Sequence, residues 1–220
     1  MPPPAHPLAE VLAEAAAGRF PPVDGRVEVV PPYLDGVEAM VSFTGHAVAV
    51  TSLPLERLLA AGADGFAGAT SAPVMAELAG PDGELDVLDV LLAAPGTGPA
   101  GRPGKSALGE RRDLDDHPRV RYARRHRGDV RVYGDDRGLV TLSRGLGGLP
   151  ELSFAVPASQ WGRGVGRSLL ADARDLVCAG EPLLAAAAPG NAASLRALLA
   201  AGFVPLGSVQ LVHPGPGRRS

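Results

Sequence analysis

Apolar positions along this chain fall into short blocks, some with helical spacing and some alternating. Leu8 to Ala17 is Ala-rich, has helical spacing and is stopped by Gly18, so it predicts a short helix. The Pro-rich residues 1–7 before it are expected to be loose. Val27 to Val30 reads as a strand ending at Pro31-Pro32. Ala39 to Val50 carries Val41, Phe43, Ala47 and Val48 and reads as one or two strands broken at Gly45. Pro54 to Ala61 reads as a helix with proline in its first turn, and Ser71 to Leu78 as a second helix. Leu85 to Ala93 is an apolar run open to either period; we read it as a strand.

The pattern then stops. Gly96 to Asp116 is rich in Gly, Pro and charge, without apolar period, and predicts a linker over residues 96–116. Beyond it the period is more regular. His117 to Arg127 predicts a short basic helix. Val130 to Tyr133, Leu139 to Ser143 and Leu152 to Val156 predict a three-stranded antiparallel meander, joined through Asp135–Gly138 and Gly145–Pro150. Val165, Leu169, Ala173 and Leu176 share one face of a helix read over Val165 to Val177. A strand (Leu183 to Ala188), a helix (Ala192 to Ala200) and a strand (Phe203 to Val212) follow, and residues 214–220 are expected to fray. The fold class is therefore α/β (α+β). A mixed, mostly antiparallel sheet flanked by helices is expected over 117–213, with a separate α/β region over 1–95.

Composition narrows the classes of function. Apolar residues are 45% of the 220, enough for a sizeable core. A net charge of −3 and 4% aromatics give no basic or stacking surface for nucleic acid, so none is expected as a partner. No apolar run approaches a bilayer span and the N-terminus lacks a signal-peptide pattern, so a cytoplasmic protein without membrane contact is expected. Cys178 is the only cysteine, which suits a reducing compartment; at the end of an apolar helix it is expected to be buried and inert.

The chemistry concentrates between Glu151 and Phe203. There an apolar strand runs into Gly162-Arg163-Gly164-Val165-Gly166 and then into a helix. Glycines let the main chain approach a phosphate, and the unpaired donors and dipole of a helix N-terminus favour an anion. Arg163 and Arg167 could add charge. Asn191 is a helix N-cap. Pro103 to Ala107 has part of a nucleotide-binding P-loop, but Pro99 stands where such a loop needs glycine. His117 with Asp113, Asp115 and Asp116 reads as first-turn charge, not as a metal site, and no metal is expected. Arg119, Arg121, Arg124, Arg125, His126 and Arg127 read as a solvated basic face, with attraction of an anionic acceptor or of cofactor phosphates as the sharper alternative.

This second half resembles the GNAT superfamily of N-acetyltransferases. The resemblance covers about 115–212 and rests on the Glu151–Val156 strand, the Gly162–Gly166 loop with Leu169-Leu170, and Asn191-x-x-Ser194-Leu195 with Gly202-Phe203. It implies acetyl-CoA as co-substrate, with pyrophosphate on the amides of Gly162, Arg163, Gly164, Val165, Gly166 and Arg167. It implies pantetheine along Phe154, Ala155 and Val156, further contacts at Trp161 and Asn191, and the Val156 N–H on the thioester oxygen. It also places Glu151 where a catalytic or water-holding carboxylate is common; the plain alternative is a solvated strand end. Leu198 stands where the family often has a proton-donating tyrosine. The final hairpin is expected to be truncated or built from Val204–Leu206 and Val209–Val212. The expected function is transfer of acetyl from acetyl-CoA to a primary amine by direct attack. The alternative is a non-catalytic acyl-CoA-binding or regulatory module, and a third reading is a dimer subunit using the N-terminal half as interface.

Overall fold

The computed structural model describes residues 5–99 and 106–218. The linker stretch 100–105, most of the P-loop-like segment, residues 1–4 and the last two residues lie outside these. Two units emerge: residues 1–91 with 206–220, and residues 92–205. The division falls after residues 91 and 205. Residues 96–98, at the start of the Gly/Pro-rich stretch, are bonded to residues 175–181. Gly96 N–H donates to Glu181 O at 2.8 Å, and Gly98 N–H to Val177 O at 2.9 Å. Thr97 Oγ1 donates to Asp175 at 2.6 Å.

The N-terminal unit contains α1 (Pro7–Ala16), β1 (Val27–Val30), β2 (Glu38–Phe43), β3 (His46–Val50), α2 (Leu55–Ala60), α3 (Ala72–Ala79) and β4 (Glu84–Leu85). β5 (Asp89–Pro95) begins here, and most of β11 (Val204–His213) returns here. The Ala39–Val50 block is a hairpin turning at Gly45, whose φ of +70° suits glycine. β1 runs parallel to β3, and β11 pairs antiparallel with β2. Met40, Ala49, Leu58, Val74 and Leu78 build the core against the helices.

Two expectations fail in this unit. The last strand is ten residues of unbroken β-structure, not a hairpin built from Val204–Leu206 and Val209–Val212, and its partners include β2 and β4. The segment after it is not frayed through Arg218. Gly215 N–H donates to Ala79 O at 2.9 Å, and the Arg218 guanidinium is buried against the Glu38 carboxylate. Glu38 also accepts from Thr51 Oγ1 at 2.5 Å and Ser52 N–H at 3.1 Å. Burial would raise the Glu38 carboxyl, but Arg218, Thr51 and Ser52 hold it below its ordinary value.

The second unit holds β6 (Gly109–Glu110), α4 (Pro118–His126), β7 (Gly128–Asp135), β8 (Gly138–Arg144), β9 (Pro150–Ala155), α5 (Val165–Arg174), β10 (Pro182–Ala187) and α6 (Ala192–Ala200). Its strands run in the order β10-β9-β8-β7-β6, with β5 beside β10. β7, β8 and β9 form the expected antiparallel meander. β9 and β10 are parallel, matched at Glu151–Leu184 and Leu152–Ala185. Beyond Leu152, the register leaves the β10 side of β9 without a strand partner. No helix among the described residues is long and apolar enough to cross a membrane.

Candidate functional site

The open end of β9 leads into the glycine loop. Strand alternation sends Phe154 and Val156 toward α5. A Cβ placed on Gly166 would lie 3.6 Å from Phe154 Cε2, 3.8 Å from Val156 Cγ2 and 3.3 Å from Ala197 Cβ. Gly166 thus lets α5 close down on β9 and α6. Gly162 and Gly164 both have φ +75°, and a Cβ on either would meet nothing within 4 Å. Their glycine character answers to backbone conformation and to open space in front of the loop. Gly164 is the N-cap of α5, and no side chain caps that helix. Its first-turn N–H groups face outward at the positive end of the dipole. Trp161 is 66% exposed, yet its Nε1 donates to Val156 O at 2.9 Å and ties the loop to the strand end. α5 is tethered to the meander: Arg137 bonds Asp135 at 2.6 Å and Asp172 at 2.5 Å. The Asp135 and Asp172 carboxylates raise the Arg137 guanidinium, and Arg137 in turn lowers the Asp135 carboxyl.

These elements enclose an open cleft of about 670 Å³. It is lined by Phe154, Ala155, Val156, Trp161, Gly162, Gly164, Val165, Gly166, Arg167 and Asn191, which are ten of the sequence-derived candidates. Asn191 Oδ1 accepts the Ser194 N–H at 3.1 Å as N-cap, which leaves its amide hydrogens for another acceptor. Arg163 is exposed and Glu151 buried, and neither lines the cleft. Gln160 and Arg196 also line it and had no assigned role; Arg119 lines it too, from the helix read as a solvated basic face with anion attraction as the sharper alternative. The signal for Arg119 was its place in the first turn of the helix before the meander.

Glu151 is neither a solvated strand end nor a cleft carboxylate. It is 5% exposed and pairs with Arg127 at 2.5 Å, while Leu146 N–H donates to its other oxygen at 3.2 Å. It shares a sheet face with Ser153 and Thr141, whose hydroxyls are 2.7 Å apart. Arg127 and His126 are therefore buried, not part of a solvated basic face. Leu198 is buried in α6. Cys178 is half-buried rather than fully buried, and lines a second cleft of about 710 Å³ with Arg131, Tyr133 and Arg144. No cluster of three metal-ligating side chains occurs among the described residues.

No family model matches the sequence, and no curated protein does. Solved structures similar to part of the chain include the following two. One is an acetyltransferase from Colwellia psychrerythraea, at 12% identity and TM-score 0.36, covering 60% of this chain and 57% of that one. The other comes from Novosphingobium aromaticivorans, at 17% identity and TM-score 0.37, covering 61% and 69%. Both are assigned to the GNAT family. This chain thus spans little more than half the length of the first GNAT structure.

Proposed function

We propose that the second unit is the core of a GNAT-type acyltransferase that moves an acyl group, acetyl in the simplest case, from coenzyme A to an amine. The observation that carries this reading is the cleft itself. An unpaired strand edge, a glycine loop with two left-handed glycines and an uncapped helix N-terminus converge on it. The residues fit the group: the N–H donors of the loop and first turn hold a pyrophosphate, aided by Arg167. The free edge of β9 bonds the amides of the pantetheine arm. Acetyl-CoA supplies an activated thioester at the end of β9. There the Val156 N–H donates to the thioester oxygen. A C–N bond forms as the C–S bond breaks; the amine gives up a proton and the sulfur leaves as thiolate.

No Asp, Glu, His or Tyr lines the cleft among the described residues, so the amine loses its proton to water through the open mouth. That same absence, with Leu198 buried where a donor would stand, favours a second reading: a module that binds acyl-CoA without turnover. Titration with acetyl-CoA, followed by CoA release with a panel of amines, decides between them. Binding with turnover supports the enzyme, and binding without turnover on any amine supports the module. Gly164→Trp fills the open space before the loop at a left-handed position and is expected to abolish binding. Unchanged affinity in that variant overturns both readings.

A further inference from the structure

The cleft has two walls on opposite faces of β9. Phe154 and Val156 look toward α5, whereas Ala155 packs with Val120, Val132 and Leu139 on the α4 side. Arg167 and Arg196 belong to the first wall and Arg119, adjacent to Val120, to the second. A cofactor lying along α5 and the glycine loop uses the first wall. A nucleophile must reach the thioester from the other.

Arg119 is prepared for a ligand there. Its guanidinium carbon lies 6.0 Å from the centroid of the Tyr122 ring, which is itself 4.3 Å from the His126 ring. This ladder along α4 orients the cation without neutralising it. Of the acids that precede α4, Asp113 binds Arg111 at 2.7 Å and Asp115 binds Arg124 at 2.7 Å. The cleft holds three arginines and, among the described residues, no acid. With coenzyme A on the first wall its phosphates offset Arg167 and Arg196, so Arg119 is the cation left on the acceptor wall. A bare ammonium gains nothing from that guanidinium. An amine that carries its own oxyanion is attracted, and a guanidinium binds carboxylate or phosphate with paired N–H donors.

We infer that Arg119 is the acceptor-recognising group, and that the acceptor is a small amine bearing a carboxylate or phosphate. This rests on the acyl-transfer reading above. The test compares matched acceptors: glycine against glycinamide, β-alanine against propylamine, and phosphoethanolamine against ethanolamine. CoA release is read with acetyl-CoA, and acceptor affinity by calorimetry on CoA-saturated protein. The anionic member of a pair should be preferred by about 10- to 100-fold in kcat/KM. Arg119→Gln should raise the KM and weaken the calorimetric affinity of anionic acceptors by a similar factor, and Arg119→Lys should recover part of it. The KM for acetyl-CoA should stay within about twofold, since Arg119 lies on the other wall. The carboxylate and phosphate arms identify which oxyanion is bound. Equal use of neutral amines overturns the inference while leaving acyl transfer standing. So does a change in acetyl-CoA KM in place of acceptor KM. Failure to bind acetyl-CoA, or binding without turnover of any amine, removes the acyl-transfer reading and the inference with it.

Discussion

Glu151 shows how much one residue's partner matters. Buried beside Arg127, its carboxylate is held in a fixed pair and does not face the cleft. Removing one member of such a pair strands the other, which costs about 3–5 kcal/mol, whereas replacing both by apolar groups is often neutral. Glu151→Gln is therefore expected to lower the melting temperature together with any activity, and Arg127→Met with Glu151→Leu to restore much of the stability. A loss of turnover in Glu151→Gln at unchanged melting temperature would return a catalytic role to this residue. Strand parity places Glu151 on the face of Ser153 and Ala155, opposite Phe154 and Val156, which separates it from the loop side only; burial with Arg127 is what takes it out of the cleft. The partner was not legible, because Arg127 lies on a different element and nothing local couples them.

At the scale of elements, what was local was readable. The Gly45 hairpin, the meander and the Gly162–Gly166 loop each announce themselves through turn residues and period. Long-range pairing has no such signature. The Val204–Val212 block alternates in the same way whether it folds back on itself or reaches β2, so its pattern could not choose between a truncated hairpin and one built from its two halves. The start of the Gly- and Pro-rich stretch after β5 shows the converse, since its bonds at 96–98 use main chain and show nothing in composition. The seating of α5 depends on Arg137, which bridges a turn acid and a helix acid. These groups are partly exposed, so Arg137→Ala should cost only about 0.5–1 kcal/mol. Its larger effect should be on acetyl-CoA affinity, because the helix that presents the loop loses its tether. Calorimetry beside thermal melts separates the two; a stability loss with unchanged affinity counts against that role for the helix.

For the molecule as a whole, the Arg218–Glu38 pair governs how the N-terminal unit responds to acid. The Glu38 carboxyl is lower in the folded protein than its ordinary value of 4.5, so its contribution is present above that value and is lost as pH falls through the folded value. Arg218→Ala leaves a buried, unpaired carboxylate and should destabilise the protein by about 3–5 kcal/mol at neutral pH, measured by urea unfolding. Its penalty should shrink as the pH drops and Glu38 takes up a proton. A penalty independent of pH would mean that Arg218 acts through packing alone. The same placement has a consequence during synthesis. β2 is translated early, but its antiparallel neighbour β11 comes about 160 residues later in the chain. Until then, the nascent protein carries a sheet with an open edge along Glu38–Phe43, a surface able to pair with another chain. A ribosome that stops anywhere within the second unit therefore releases a half-finished sheet, however well that unit itself has folded.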